Sequence, residues 1–550
     1  MFKVEIKINH KYYKKIAYSK PITIGEIIKE KEFKEKGIIA YVLNCDYTTS
    51  KELIKTDAEV DLITSNSSEG FRIYQDTAIF VMMKAFYRLF PAKTKFIVEH
   101  SIGNGVYGEI FGKDIFTAEK VKELKHEMLE IINRKLPIEK INISLSEAEN
   151  IFSKKGNGEI FSHLSYHKID IFKCEEYDDY FLRQLAENTS AIRNFDLLYH
   201  SPGIILRFPD KDSLQIKGEF QFPRKLFATH QEHDKWLKII RVHNVSALNK
   251  AKDTYRLADM IQVEEALHEK KIVFIADEIS RQKDVKVILI AGPSSSGKTT
   301  YAKRLSIHLR VNGLNPQIIQ LDDYFLPRYL TPKKESGEFD FESLQAIDLQ
   351  LLNDNLQDFL AGKEIDLPKF NFLTGERENI YRKLTPKKDA VLILEGIHGL
   401  NDKLTESVPF NQKVKIYVSA LNNLNIDAHN RIPTTDSRKI RRIIRDHKFR
   451  GYSAEQTLDR WDSIAEGEDK NIFPFQENSD FMFNSTLTYE LGVLKKHIMP
   501  LLQNVTCYCP QFQEAKRLIK LLDHISTIHD ELVPSHSILR EFIGGSLFNY

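Results

Sequence analysis

The sequence predicts an α/β protein, with a parallel β-sheet in its second half and smaller α+β modules in its first half. From Val285 onward, short apolar runs rich in β-branched residues alternate with helical stretches, which is typical of strands buried on both faces of a parallel sheet. Before that point, short β-rich runs are interspersed with single helical stretches. The runs predicted as strands of the parallel sheet are Val285–Ile290, Gln317–Leu321, Ala390–Leu394, Val414–Val418 and Phe481–Phe483.

Length and composition indicate a globular protein with several domains. The chain has 550 residues, of which 42% are hydrophobic and 28% charged. A formal net charge of only +2 provides no general attraction for nucleic acid or membranes. Four scattered cysteines are too few for a disulfide framework. Because no run of about 18 uncharged apolar residues occurs, we expect no membrane-spanning helix and a cytoplasmic location.

The first half is predicted to contain two modules and a helical bridge. In residues 1–65, β-rich runs surround one charged helical stretch near Ile24–Lys36, which is typical of a small ubiquitin-like module. Helical spacing of apolar residues predicts long helices from Asp76 to Pro91 and around Ala118–Lys135. The predicted segments are 1–65, 66–224, a bridge over 225–284, the parallel-sheet domain over 285–510 and a helical C-terminal tail over 511–550.

Residues Gly292–Thr299 read GPSSSGKT and match the phosphate-binding pattern G-x-x-x-x-G-K-[S/T], the P-loop. An apolar strand precedes the loop and a helix is predicted over Tyr301–Leu309, as this motif requires. Glycines let such a loop turn its backbone N–H groups inward as an anion nest. Lys298 then supplies a charge to the β- and γ-phosphates, and the Thr299 hydroxyl binds Mg²⁺. The predicted nucleotide-binding residues are Gly292, Pro293, Ser294, Ser295, Ser296, Gly297, Lys298, Thr299 and Thr300.

Carboxylates follow two of the predicted strands. Asp322 and Asp323 follow the strand after the P-loop, and Glu395 follows the next apolar strand. A carboxylate at the C-terminal end of a buried strand faces the ligand crevice of an open α/β sheet. We therefore expect one carboxylate to hold Mg²⁺ or its water shell, and another to take a proton from an attacking hydroxyl. Asp322 is better placed than Asp323, because successive strand side chains point to opposite faces.

The segment Ser437–Gly451 is predicted to be a helix that carries a row of arginines on one face, at positions i, i+3, i+4 and i+7. Such a row repels itself unless an anion lies opposite. The charge that develops on a triphosphate during transfer is the anion that we expect. A solvated or RNA-binding basic face is the alternative. The arginines of this row are Arg438, Arg441, Arg442 and Arg445.

From about Val285 to Leu502 the chain resembles the uridine kinase and phosphoribulokinase family. The motifs of that family appear here in its order, as GPSSSGKTT, LDDYF, the pair Phe339–Asp340, LPKFNF, LILEGI and SRKIRRIIRD…RG. The resemblance implies a P-loop NTPase-type kinase domain that uses ATP and Mg²⁺. It implies transfer of the γ-phosphate of ATP to the 5′-hydroxyl of a uridine- or cytidine-like nucleoside.

By position, the resemblance also implies roles on the phosphate side of the site. Asp322 matches the general base for the nucleoside 5′-hydroxyl. Glu395 matches the magnesium-site glutamate, and Thr299 completes the metal residues. The implied catalytic residues are Asp322, Lys298 and Arg445, and the implied phosphate-side arginines are Arg441, Arg442 and Arg445.

On the substrate side, Asp340 matches the acid that hydrogen-bonds the ribose hydroxyls. Phe370 falls where the family usually has a tyrosine against the base. Gly375 stands where a base-contacting histidine is common in uridine kinases, so we expect weaker discrimination among nucleobases. The other substrate-side matches lie on or shortly after the arginine-bearing helix and are Arg438, Arg450 and Gln456.

The first half resembles other families. Residues 1–65 are similar to a TGS domain, and residues 66–208 to the second additional (editing) domain of threonyl-tRNA synthetases. This pairing with a uridine kinase-like second half resembles bacterial nucleoside kinase-like proteins. The editing domain carries a metal-type site of three histidines and a cysteine. This chain lacks all four of these ligands, so we expect it neither to bind zinc nor to have editing activity. Its four positions are occupied by Asp76, Phe80, Phe181 and Leu185.

Two classes of function remain open from the sequence. The first is a nucleoside kinase whose N-terminal modules regulate it, dock it or form a homo-oligomer, with RNA or protein as their possible ligand. The second is an RNA- or tRNA-binding regulator whose P-loop domain hydrolyses ATP as a switch. A third hypothesis keeps the kinase and changes the acceptor to another hydroxyl metabolite. Asp322, Asp340 and Gln456 favour a kinase, because a pure ATPase needs no acceptor-side residues.

Overall fold

The structure of the chain is a computed structural model. It describes residues 1–34, 36–90, 94–112, 116–254, 256–334, 337, 339–371, 374–378 and 382–550. Pro91 and Phe372, which belong to stretches quoted above, lie outside the described residues. No helix in the described ranges is both long and apolar enough to cross a membrane.

Residues 2–64 form a mixed five-stranded sheet with two short helices. The elements are β1 (Phe2–Ile8), β2 (Lys11–Tyr18), β3 (Ile22–Thr23), α1 (Ile24–Ile27), α2 (Lys31–Lys34), β4 (Ile38–Leu43), β5 (Asp46–Thr48), β6 (Leu53–Ile54) and β7 (Ala58–Thr64). The sheet order is β2-β1-β7-β4-β5, with β1 and β7 parallel. The single helix predicted near Ile24–Lys36 is two helices, because Ile24 and Ile27 bury one turn and the chain then bends before Phe33 reaches the same core.

Residues 68–207 combine three helices with two antiparallel sheets. The elements are α3 (Ser68–Leu89), β8 (Lys95–Ile102), β9 (Gly105–Phe111), α4 (Ala118–Asn133), β10 (Glu139–Ser144), α5 (Leu145–Lys154), β11 (Lys168–Cys174), β12 (Tyr177–Asp179), β13 (Asp196–His200) and β14 (Gly203–Arg207). The sheet orders are β13-β14-β9-β8 and β10-β11-β12. Both predicted helices are present, and α3 begins earlier than Asp76 because the Ser67 hydroxyl accepts the Gly70 N–H at 3.0 Å and caps the helix.

The parallel sheet predicted for the second half is confirmed. In the described residues, helices α6, α7 and α8 lie between β14 and the first strand of this sheet. Its strand order is β16-β21-β15-β22-β23, and every neighbouring pair is parallel. The five strands begin and end within two residues of their predicted positions. The elements are α6 (Arg224–Ile240), α7 (Val245–Asp253), α8 (Leu257–Arg281), β15 (Val287–Ala291), α9 (Lys298–Val311), β16 (Asn315–Gln320), α10 (Leu349–Leu360), β17 (Ile365–Leu367), β18 (Phe370–Asn371), β19 (Glu376–Arg377), β20 (Arg382–Leu384), β21 (Ala390–Glu395), β22 (Lys413–Ser419), α11 (Thr434–Arg450), α12 (Ala454–Asp459), α13 (Trp461–Asn471), β23 (Phe481–Asn484), α14 (Glu490–Gln503), α15 (Phe512–Asp523) and α16 (Arg540–Ile543).

Alternate residues of the central strand β15 enter two separate cores. Val287 and Leu289 pack with α10, whereas Ile288 and Ile290 pack with α8, α9 and α14. Burial on both faces explains why the strand is apolar throughout. The carboxyl ends of β15, β16 and β21 lie at one edge of the sheet, and this edge holds the P-loop and the predicted carboxylates.

Helix α15 is fixed to α11 by a buried ion pair. Both guanidinium NH groups of Arg517 donate to the Asp436 carboxylate, at 2.7 and 2.8 Å, and both side chains are buried. Burial alone would raise the pKa of Asp436, but the charges of Arg517 and Arg183 hold it below its usual value. The pair therefore ties residues 512–523 to the first turn of the arginine-bearing helix.

We predict that Arg517→Met destabilises the protein by about 3–5 kcal/mol, because it leaves the Asp436 carboxylate buried without its main partner. Lys516→Met is the matched control on the same helix, since Lys516 pairs with Asp46 in solvent, and it should cost about 1 kcal/mol or less. Urea unfolding followed by circular dichroism measures both. Equal midpoints for the two variants would contradict the role given to this pair.

Candidate active site

The P-loop connects β15 to α9 in a conformation that its glycines permit. A side chain at Gly292 would lie 1.9 Å from the Val418 carbonyl oxygen of the neighbouring strand β22. Gly297 adopts a left-handed conformation with φ +82° directly before Lys298, the first residue of α9. The helix therefore begins three residues before the predicted Tyr301, and the N–H groups of its first turn have no partner within the helix.

Several polar groups of the loop lack protein partners. The hydroxyls of Ser295 and Ser296 are buried without a hydrogen bond in the part of the chain that the structure describes. The Lys298 ammonium is buried too, and it donates to the Pro293 carbonyl at 3.2 Å. Buried donors without partners are costly unless a ligand satisfies them. The loop therefore fits an anion with several acceptor oxygens, such as the phosphates of a nucleotide.

Glu395, the last residue of β21, lies beside the P-loop helix. It accepts a hydrogen bond from the Thr299 hydroxyl at 3.3 Å. Burial raises the pKa of Glu395, the charge of Lys298 lowers it, and the charges of Asp322 and Glu541 raise it, with a net value of about 7. The structure thus brings the two predicted metal residues into direct contact.

Asp322 and Asp323 point to different places, but not for the predicted reason. Strand β16 ends at Gln320, and both aspartates lie in a 3₁₀ turn over Leu321–Tyr324. Asp323 accepts the Phe370 N–H at 3.4 Å, so it supports the neighbouring hairpin. Asp322 is open to the cleft, yet crowding by protein atoms raises the pKa of its carboxyl, against the charges of Lys298, Arg450 and Arg445, which lower it.

Two of the predicted arginines are enclosed in internal ion pairs. The Arg438 guanidinium donates to the Ser294 carbonyl at 2.9 Å and pairs with Glu468. Arg441 pairs with Glu490. The exposed fractions are 1% for Arg438 and 0% for Arg441. The sequence analysis expected a triphosphate opposite the arginine row, and protein carboxylates neutralise the buried part of that row.

The other three arginines lie towards the cleft around one carboxylate. Arg442, Arg445 and Arg450 each lie within 3.5 Å of an Asp446 oxygen. Arg442 also donates to the Ser294 hydroxyl of the P-loop. Burial lowers the pKa of Arg442 to about 10, and the charge of Arg445 adds to the effect. Three cations that share one carboxylate leave an excess of positive charge beside the phosphate loop.

The predicted substrate-side residues lie in several different elements of the structure. Asp340 is half-buried, and Phe370 lies in the hairpin of β18 and β19, with its ring 5.8 Å from that of Phe325. A side chain at Gly375 would lie 2.8 Å from the Arg328 guanidinium, so an arginine occupies the space next to this glycine. Gln456 accepts the Ser453 N–H at 2.9 Å and completes a capping box at the start of α12, which is a structural role.

Two acidic residues of this region were missed by the sequence analysis. Glu468 of α13 accepts the Ser294 N–H of the P-loop at 2.9 Å. Burial raises the pKa of Glu342 to about 7, and the charges of Glu468, Arg442, Asp322 and Lys298 all act on it, so it lies in the same cleft. Neither residue belongs to a local motif, and only tertiary packing brings them to the P-loop.

Three of the four positions of the synthetase-like metal site form an ion pair or ring contacts. Asp76 forms an ion pair with Arg183 at 3.1 Å, and the rings of Phe80 and Phe181 pack edge to face at 5.8 Å. A cavity of about 310 Å³ lies nearby, between the first module, α3 and α15. Three of its four acidic groups are paired with cations of its own lining, for example Asp170 with Lys140.

Comparison with known proteins places the region that contains the P-loop in a known kinase family. The model of the phosphoribulokinase/uridine kinase family matches residues 287–491. Uridine kinase of Staphylococcus aureus (strain JH9) is 30% identical over 201 residues, which are 36% of this chain and 87% of that protein.

Two solved structures are more distantly similar. A "possible uridine kinase" from Bacillus stearothermophilus is 19% identical with a TM-score of 0.27, covering 39% of this chain and 98% of that chain. D-Glycerate 3-kinase from Cryptococcus neoformans var. grubii is 14% identical with a TM-score of 0.23, covering 46% and 87%. At these TM-scores neither likeness carries an argument. The family match over residues 287–491 and the curated relative, aligned over 87% of its length, show that the chain belongs to the phosphoribulokinase/uridine kinase family.

Proposed function

We propose that the protein is an ATP-dependent kinase that transfers the γ-phosphate of ATP to the 5′-hydroxyl of a nucleoside. One observation carries the proposal. The anion-binding loop and the Asp322 carboxylate open into the same cleft, and the charges of Lys298, Arg445 and Arg450 act on Asp322. A kinase needs a group that accepts the proton of its acceptor hydroxyl, and a carboxylate with this placement supplies it.

The phosphates of ATP are assigned to the partnerless donors of the P-loop. These donors are the buried hydroxyls of Ser295 and Ser296, which have no hydrogen bond within the described residues, and Lys298 supplies the balancing charge. Thr299 and Glu395 are the residues that would hold Mg²⁺, with phosphate and water oxygens completing its ligands. When bound, Mg²⁺ supplies positive charge that offsets the negative charge of the phosphates.

The transfer step follows from the position of Asp322. Its carboxylate takes the proton of the attacking 5′-hydroxyl while the new bond from that oxygen to the γ-phosphorus forms. The bond from the γ-phosphorus to the β–γ bridging oxygen breaks, and ADP leaves with that electron pair. From helix α11, Arg442, Arg445 and Arg450 stabilise the negative charge that develops on the transferring phosphoryl group. Arg438 and Arg441 act instead as anchors that fix α11 against the loop.

The nucleoside is assigned to the region between Asp340 and the β18–β19 hairpin. Asp340 binds the ribose hydroxyls, as the family resemblance implies, and the Phe370 ring lies against the base. Arg328 is the polar group closest to the position of the missing histidine, because it fills the space above Gly375. A guanidinium only donates hydrogen bonds, so it favours bases with carbonyl oxygens over those with amino groups at the same edge.

For the first half we propose a TGS-like module over residues 1–65 and an editing-like module over residues 66–224 that has lost its chemistry. The pairing of Asp76 with Arg183 and the packing of Phe80 on Phe181 support this proposal, since charge and aromatic contacts replace metal ligands. These modules, with the bridge over 225–284, serve to regulate, dock or assemble the kinase domain over 285–510 and the segment over 511–550.

Lys298→Ala should lower kcat/KM for ATP-dependent transfer by about 10²- to 10³-fold, because it removes the cation that contacts the transferring phosphoryl group. Arg310→Ala is the matched control, since it removes an exposed cation from the far end of the same helix. Circular dichroism should show both variants folded. Undiminished turnover in Lys298→Ala would refute the kinase assignment.

Asp322→Asn should lower kcat by about 10²- to 10⁴-fold and leave ATP binding intact, because an amide cannot accept the proton of the hydroxyl. Asp323→Asn is the paired variant and should retain at least about a tenth of the activity, since its amide oxygen can still accept the Phe370 N–H. Product formation and ATP binding are measured on both. Equal losses in the two variants would show that Asp322 is not the base.

A further inference from the structure

The residues Ser537–Tyr550, here called the 537–550 segment, cross the first turn of the P-loop helix. The segment contains the short helix α16, followed by Gly544 and Gly545, both with positive φ. It lies far along the chain from Thr300, yet two of its side chains contact that residue.

Glu541 occupies both donors of Thr300. Its carboxylate accepts the Thr300 N–H at 3.2 Å and the Thr300 hydroxyl at 2.6 Å. The Tyr550 hydroxyl lies 2.8 Å from the same Thr300 oxygen. Thr300 is the third residue of α9, so its N–H is one of the first-turn donors that have no partner within the helix. In a P-loop these donors cradle the α- and β-phosphates.

The segment is anchored on both sides of this contact. The Ile538 side chain packs against Gly297, and the Arg441 guanidinium lies 5.2 Å from the centre of the Phe542 ring. Lys448 at the end of α11 donates to the Ile543 carbonyl, and Lys303 of α9 donates to the Asn549 carbonyl. The segment thus bridges the P-loop helix and the arginine helix, the two elements that would enclose a bound nucleotide.

Glu541 also lies beside the residues assigned to Mg²⁺. It accepts both donors of Thr300, and the adjacent Thr299 donates its hydroxyl to Glu395. The anionic group of the segment therefore lies where phosphate charge is expected.

We infer that the 537–550 segment is a built-in competitor of the nucleotide, with Glu541 holding the donors that an ATP phosphate would otherwise take. This inference rests on the proposed function, because it identifies the ligand of the P-loop as a nucleotide. Two anions cannot accept the same N–H and hydroxyl at once. Binding of the nucleotide therefore displaces Glu541, and the affinity for ATP is reduced by the free energy of the contact that is lost.

Glu541→Gln tests the inference in the full chain, because glutamine keeps the size of the side chain and removes its charge. Isothermal titration with ATP should give a Kd about tenfold lower than that of the wild type, as expected for a lost charge-assisted contact. Glu531→Gln is the matched control, since Glu531 is exposed nearby in the sequence, and its Kd should equal that of the wild type.

Hydrogen exchange measures the displacement of the 537–550 segment independently of the affinity for ATP. Addition of ATP to the wild type should increase exchange in peptides covering 537–550, because the segment leaves α9. An unchanged or higher Kd in Glu541→Gln, or no ATP binding by either protein, would overturn the inference. Tighter ATP binding by Glu541→Gln without phosphorylation of any nucleoside would uphold it and refute the proposed acceptor instead.

Discussion

The buried ion pairs of helix α11 are the interaction on which the site depends. Arginines on this helix approach the P-loop only because carboxylates from other elements neutralise them. Glu468 of α13 offsets Arg438, and Glu490 of α14 offsets Arg441. An unpaired buried charge costs several kcal/mol, so these contacts fix α11 in one position against the loop. The cations that remain at the cleft, around Asp446, are positioned by this arrangement.

The acidic groups that contact the donors of the phosphate loop are the second feature of the site. Glu468 accepts a loop N–H, Glu541 accepts donors of the first turn of α9, and Glu342 lies in the same cleft. Anions gather here because the loop and the helix N-terminus concentrate hydrogen-bond donors and positive potential. The same potential that attracts protein carboxylates is the one that binds phosphate, so the protein and its ligand compete for one set of donors.

Local sequence patterns predicted the sheet and the P-loop, whereas contacts between distant residues were not predictable. Strand periodicity and the glycine–lysine motif are properties of a few adjacent residues, and they located β15 and α9 correctly. Helical spacing showed that the arginines share a face, but not that Glu468 and Glu490 lie opposite to it. Gln456 matched a substrate-side position, and its capping of α12 emerged only from the geometry.

The account as a whole is tested most directly by the acceptor. Release of ADP from ATP should be measured with the purified 550-residue chain against a panel of nucleosides, sugars and structured RNA, and the phosphorylated product identified by mass spectrometry. The account predicts that a nucleoside stimulates ADP release and yields a stoichiometric amount of its 5′-monophosphate. ADP release that only RNA stimulates, or that needs no acceptor, would contradict it.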